Sequence, residues 1–264
     1  MKKSFLSRPA ALAPAPRAIT ALMLREMATF YGRSPGGYIW AIAEPIAAIA
    51  LMSLAFSVAF DAPLLGRSFV LFYATGYLPY MMVQDVSSKI GQAIRFSRPL
   101  FAYPAITLAD ALIARWALNV VTHVAVFALI LCGIEAIYVT GALYRLDVIV
   151  SALAMATALA FGIGTLNAAL IAFVPVWERV WQIGTRPLFV ISGIFFLMEI
   201  LPAELRSAAW WNPLIHVTAE MRHGTYANYE AGFVSAPYVY AVALASACLG
   251  FLIFRAMRWD VGQT

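Results

Sequence analysis

The residues able to do chemistry are few and scattered. There are three histidines, His123, His216 and His223, and two cysteines, Cys132 and Cys248. No HExxH or CxxC occurs, so the sequence offers no zinc-ligand spacing. Both cysteines lie inside apolar runs and read as small hydrophobes. An intramembrane serine protease needs Gly-x-Ser-Gly with a histidine partner, and Val190-Ile191-Ser192-Gly193 lacks the first glycine. The lysines are Lys2, Lys3 and Lys89 alone, and no GxxxxGK[ST] loop occurs. The chain therefore has no nucleotide site of its own. If it uses ATP, a separate subunit must bind that nucleotide with its Mg, and no cofactor is expected here.

Charged groups inside apolar runs are the next candidates, because burying them in lipid is costly. Glu44 is followed by Pro45, Asp85 ends one apolar run, and Asp110 and Arg115 flank the start of another. They read either as functional charges or as structural charges at headgroup level. His123 stands alone in its run and reads as a helix-packing residue. No Asp/Glu/His chain is evident along the runs, which weakens a proton-coupled transporter. Phe69, Tyr73, Tyr77 and Tyr80 recur at i, i+4, i+8 and i+11, which places them on one helical stripe. Tyrosine offers an apolar face to sugar C–H groups and a hydroxyl for hydrogen bonds. The stripe suits a glycan path, and equally an interhelical or lipid-facing seam.

The elements that must position these residues follow from composition. The 264 residues are 63% apolar and 12% charged, with mean hydropathy +0.82. A soluble domain is nearer half apolar and a quarter charged, so a water-soluble globule, a disordered chain and a nucleic-acid module are excluded. Six apolar runs stand out, 38–60, 69–86, 113–134, 148–174, 187–201 and 236–254. About 20 apolar residues cross a hydrocarbon core, and only a helix satisfies its own backbone there. The expected fold is an all-α membrane protein of six transmembrane helices, residues 38–254. The fifth run is short, and reads as a span extended at its start or as a partial insertion.

Residues 1–18 read as a cytoplasmic tail and 255–264 as a cytoplasmic C-terminus. Within 19–37, Ile19, Leu22, Met23, Met27 and Phe30 form a helical apolar stripe, as in an amphipathic helix at the headgroups or one packed in the cytoplasm. With both ends inside, 14 Lys and Arg fall in inner segments and 4 in outer ones, the asymmetry expected of cytoplasmic loops. The formal charge of +5 thus reports topology.

Two loops carry more than a turn needs. Segment 87–105 holds Arg95 and Arg98, then Pro99-Leu100-Phe101 and Tyr103-Pro104. It suits docking on a cytoplasmic partner, or a membrane-surface elbow with Phe101 and Tyr103 as anchors. Segment 202–235 is too apolar for a free loop and too broken for a span, so a re-entrant hairpin buried in protein is expected. Trp177 and Trp181 share one helix face, as interfacial anchors do.

Residues Arg25-Glu26, Tyr31-Gly32-Arg33, Gly37, Trp40 and Glu44-Pro45 resemble the N-terminal signature of ABC-2 type polysaccharide exporter permeases. Pro99–Pro104 followed by Asp110 and Arg115 resembles the capsular polysaccharide, KpsM-type branch, and Asn212-Pro213-Leu214, His216, Glu220 and Arg222 match its outer segment. The resemblance covers nearly the whole chain. It implies a homodimeric permease of the bacterial inner membrane working with two copies of a cytoplasmic ABC ATPase subunit and a periplasmic adaptor. Its cargo would be a lipid-linked acidic polysaccharide, moved from cytoplasm to periplasm without bond chemistry in this chain. By position, Pro99, Leu100, Phe101, Tyr103 and Pro104 would couple to the ATPase, and residues 19–31 would form the interface helix. Arg33, Arg95 and Arg98 would attract anionic cargo by long-range field, and the aromatic stripe would line its path. The alternatives are an ABC-2 permease for O-antigen, teichoic acid or a small drug and, from another class, an intramembrane enzyme or a transporter needing no ATPase.

Overall fold

The computed structural model describes residues 16–30, 37–102, 106–138 and 140–256. Arg33, Tyr103 and Pro104 lie outside the described residues, as do nearly all of both terminal segments.

Helices make up the regular structure of the described residues. They are α1 (Pro16–Phe30), α2 (Gly37–Ala59), α3 (Phe69–Gly91), α4 (Ala93–Ser97), α5 (Leu108–Ile137), α6 (Leu146–Phe173), α7 (Trp177–Gly184), α8 (Arg186–Ile191), α9 (Ala203–Trp210), α10 (Pro213–Thr225) and α11 (Ala236–Ala256). Four of them, α2, α5, α6 and α11, are long and apolar enough to cross a membrane. At ~1.5 Å rise per residue, the 30 residues of α5 exceed a core of about 30 Å. The 23-residue α3 matches the length, but its tyrosines, Gln84, Asp85 and Lys89 make it less apolar.

The fifth apolar run departs from the expected single helix. It forms the six-residue α8, a non-helical stretch from Ser192 to Leu197, and a short 3-10 turn at Met198–Ile200. Hydropathy reports composition and says nothing about continuity. The break falls at Gly193, whose φ of +75° is a left-handed conformation that side chains disfavour.

The core lies where α3 and α6 pack together, with α5, α10 and α11 around them. Lipid offers helices little hydrophobic drive to associate, so close backbone approach has to supply it. The α6–α11 seam achieves this with glycines. A Cβ at Gly162 would overlap the Ala243 carbonyl, and one at Gly250 would lie 2.8 Å from the Thr165 carbonyl oxygen. Trp116 Nε1 donates to the Thr157 carbonyl at 3.0 Å and ties α5 to α6. Overpacking of this kind costs about 1–3 kcal/mol. Gly162→Leu should therefore lower the melting temperature of the detergent-solubilised protein, while Gly133→Leu, where a Cβ meets open space, should not. Equal melting of the two variants in a thermal-shift assay would contradict this packing.

Candidate functional site

Each end of the bundle is organised by a buried arginine, and α3 runs between them. At the α1 end, Arg115 of α5 is 3% exposed. Its Nε lies 3.2 Å from Glu26 Oε1 of α1. Its Nη1 donates to the Lys89 carbonyl at 2.7 Å, one of the carbonyls left open at the C-terminus of α3. Its guanidinium stacks over Phe96 of α4 at 4.3 Å. One side chain thus joins α1, α3, α4 and α5 around a cleft lined by Leu22, Arg25, Glu26, Phe96, Ala111 and Arg115. Burial pushes the Glu26 carboxyl up from its ordinary range, and the adjacent Arg115 cation only partly opposes this. Asp110 is 1% exposed. It closes a capping box with Thr107, whose Oγ1 and N–H both donate to Asp110 Oδ2, at 2.7 and 2.9 Å.

Deeper along α3, Asp85 Oδ2 accepts from Lys89 at 2.9 Å and lies 3.0 Å from His123 Nε2. His123 is therefore partnered across helices rather than alone. Arg95 of α4 pairs with Glu178 of α7 at 2.7 Å while most of its side chain stays exposed. Trp177 is half-buried and its Nε1 donates to Asn167 Oδ1 at 2.9 Å, so it packs inward as well as marking the loop.

The segment expected to couple to a partner differs from expectation in one respect. Arg98–Ala102 forms a 3-10 turn. Arg98 and Pro99 are exposed and Leu100 is half-exposed, but Phe101 is buried at 6%. The benzyl ring packs into the protomer core, so the expected exposed Leu-Phe cluster reduces to Leu100. The aromatic stripe is also covered. Tyr73 and Tyr80 are buried, and Phe69 and Tyr77 are half-buried. Tyr73 packs against Phe56 of α2 and Phe195, with centroids 5.1 and 6.1 Å away. Tyr77 and Tyr80 meet Phe189 of α8 edge-on. In the protomer the stripe is a seam between α3, α2 and the broken fifth run. Trp40 and Glu44 of α2 are exposed.

At the α10 end, the Asn-Pro pair has a local role. Asn212 is the N-cap of α10, its side chain accepting from the Leu214 N–H at 3.1 Å, and Pro213 occupies the first turn, where no N–H is needed. Asn212 Nδ2 also donates to the Ile191 carbonyl at 3.2 Å, reaching the end of α8. His216 lies 2.8 Å from the Trp210 carbonyl through Nε2, and its Nδ1 accepts from the Ser235 N–H at 3.2 Å. That is the bond set of a neutral imidazole. Glu220 is half-buried on α10. Arg222 is 2% exposed and donates to the carbonyls of Gly193 (2.6 Å), Phe196 (3.0 Å) and Ile194 (2.8 Å). Those are carbonyls of the broken fifth run.

No group of three or more His, Cys, Asp or Glu among the described residues is placed to hold a metal ion. The Thr107-Asp110 box could have been read from the Thr-x-x-Asp spacing. The carbonyl partners of Arg115 and Arg222 carry no sequence signal.

Arg115→Ala removes a carboxylate partner, a helix-end cap and a ring contact together. Breaking a buried pair costs about 3–5 kcal/mol. Arg115→Ala should lower the melting temperature well below that of Glu26→Gln, which keeps a hydrogen-bonding side chain. Similar melting of the two variants would show that Arg115 matters only through Glu26.

The sequence profile of the ABC-2 type transporter family matches residues 17–226. The chain is 28% identical over 240 residues to the polysialic acid transport protein KpsM of Escherichia coli, covering 90% of this chain and 92% of that one. It is 27% identical over 242 residues to the capsule polysaccharide export inner-membrane protein BexB of Haemophilus influenzae, covering 90% of each. It is 26% identical over 242 residues to the corresponding protein CtrC of Neisseria meningitidis serogroup A, covering 90% and 89%.

Proposed function

Because the chain belongs to the ABC-2 type transporter family, we propose that it is the membrane-spanning permease subunit of a capsular polysaccharide exporter. In this reading it moves a lipid-linked acidic polysaccharide from cytoplasm to periplasm. The observation that carries the proposal is the likeness, over about nine-tenths of the chain, to relatives named for polysialic acid transport and capsule polysaccharide export. The absence of a P-loop in the full sequence supports a transport subunit whose ATP and Mg are held by a separate ABC ATPase.

In the proposed arrangement the protein sits in the bacterial inner membrane with both ends inside. Helices α2, α3, α5, α6 and α11 cross, and α8 with the irregular stretch that follows it to Ile200 makes the fifth, incomplete crossing. Helix α1 lies at the cytoplasmic headgroups. Helices α9 and α10 form the outer re-entrant hairpin. The burial of α10 against α6 and α3 supports that placement, because irregular backbone at membrane depth has to be covered by protein. Two protomers pair with two ATPase subunits, and a periplasmic adaptor meets the outer face. The exposed face of α2, with Trp40, Glu44, Leu51 and Leu54, is available for the second protomer or for lipid.

The segment Arg98–Ala102 would dock in the ATPase, presenting Arg98, Pro99 and Leu100. Motion there reaches the bundle through Arg115, which joins α1, α3, α4 and α5. The stripe Tyr73, Tyr77 and Tyr80 would meet glycan once α8 and α2 move off it. Arg33, Arg95 and Arg98 would raise the local concentration of anionic cargo at the inner mouth.

Leu100→Asp should abolish co-purification with the ATPase subunit at unchanged membrane level, whereas unchanged complex yield would remove the segment from the interface. Deleting the gene should abolish surface capsule and leave intracellular polymer. Tyr77→Ala should lower surface polymer several-fold without lowering protein level. Normal capsule in the deletion strain would overturn the proposal.

A further inference from the structure

Arg222 combines three features that rarely occur together. It is almost completely buried, all of its hydrogen bonds go to one irregular stretch of backbone, and among the described residues no carboxylate lies within ion-pair distance. The two terminal nitrogens serve three carbonyls, at Gly193, Ile194 and Phe196, while Nε has no partner. The flat face of the guanidinium rests on Phe72 of α3 at 4.2 Å. One turn further along the same face of α3 lies Gly76, where a Cβ would stand 2.9 Å from Arg222 Nη2 and 3.2 Å from the Ile194 Cα. Thr218, one turn before Arg222 on α10, adds a bond from its hydroxyl to the Ser192 carbonyl at 2.9 Å.

The energetics of this arrangement favour two states over a continuum. A buried guanidinium carries a desolvation cost of several kcal/mol. The carbonyl dipoles offset that cost only while the 193–196 turn stays in the fork. Those carbonyls in turn have left a helix ladder, and lipid cannot satisfy them. Three bonds share one guanidinium and one turn, so a displacement of the turn loses several of them together. A lysine cannot substitute, because its compact ammonium lacks the planar fork that reaches several acceptors.

We propose that Arg222 is the latch of the outer gate. It is a positioning residue whose fork clamps the 193–196 turn onto α3 and so keeps the broken fifth run over the aromatic seam. Release of the turn uncovers Tyr73, which Phe195 of that same turn covers. Assigning this motion to polymer exit rests on the exporter reading above.

The test is the chemical reactivity of a buried thiol. Ser192 and Ser87 are both 0% exposed, Ser192 at the turn and Ser87 in the last two turns of α3. The full chain carrying Cys132→Ala and Cys248→Ala, plus either Ser192→Cys or Ser87→Cys, is placed in lipid nanodiscs and treated with a membrane-impermeant maleimide. With Arg222 intact, both thiols should label slowly. Adding Arg222→Lys should raise labelling at the Ser192→Cys site at least tenfold and leave the Ser87→Cys site protected. Gly76→Ala, which presses on the guanidinium from α3, should do the same, and it decides the matter if Arg222→Lys does not accumulate. An unchanged rate at the Ser192→Cys site would overturn the latch. An equal rise at both sites would also overturn it, since that is general loosening. The assay needs neither ATP nor polymer, so it can fail while the capsule phenotype holds, and the reverse.

Discussion

The constraint on which this structure depends is that a hydrocarbon core supplies no hydrogen-bond partner for backbone. An uninterrupted helix meets it alone, as α5, α6 and α11 do. The chain nevertheless interrupts its helices, and at four places particular side chains take the open backbone groups. Arg222 takes three carbonyls of the broken fifth run, and Asn212 starts α10 while reaching back to the end of α8. Arg115 takes a carbonyl at the end of α3, and Thr107 with Asp110 closes the start of α5. These polar residues make irregular backbone tolerable in an apolar chain.

Helix α3 connects these sites. At one end it gives Phe72 and Gly76 to the Arg222 fork. At the other it gives the Lys89 carbonyl to Arg115, with Asp85 held between Lys89 and His123 on the way. The helix that carries the aromatic stripe is thus gripped at both ends by buried cations on other elements. A displacement of α1 or α4 acts on Arg115, whose bond to the Lys89 carbonyl ties it to α3. The two ends of the bundle are thus joined physically through α3.

Much of the architecture was legible from composition. Spacing of apolar runs located the long helices to within a few residues, and Ile19, Leu22 and Met23 marked α1. What hydropathy could not convey was continuity. The run 187–201 is as apolar as a span, yet Gly193 breaks it with a positive φ. The placement of side chains was equally hidden. Phe101 belongs to a surface-looking loop and is buried, and the tyrosines of α3 face protein because α2 and α8 happen to cover them. His123 looked solitary because its partner lies 38 positions earlier in the chain, on another helix. Asp110 is different, because the Thr-x-x-Asp spacing that marks a helix cap is present in the sequence itself.

The most direct measurement is transport by the reconstituted pair. The chain and an ABC ATPase subunit from the same cell are placed together in proteoliposomes carrying a lipid-linked acidic capsular polysaccharide in one leaflet. The account predicts ATP-dependent transfer of that glycolipid to the opposite leaflet, requiring both subunits and exceeding transfer of a neutral O-antigen glycolipid. ATP hydrolysis without movement of the acidic glycolipid, or movement that proceeds without the ATPase, would contradict it.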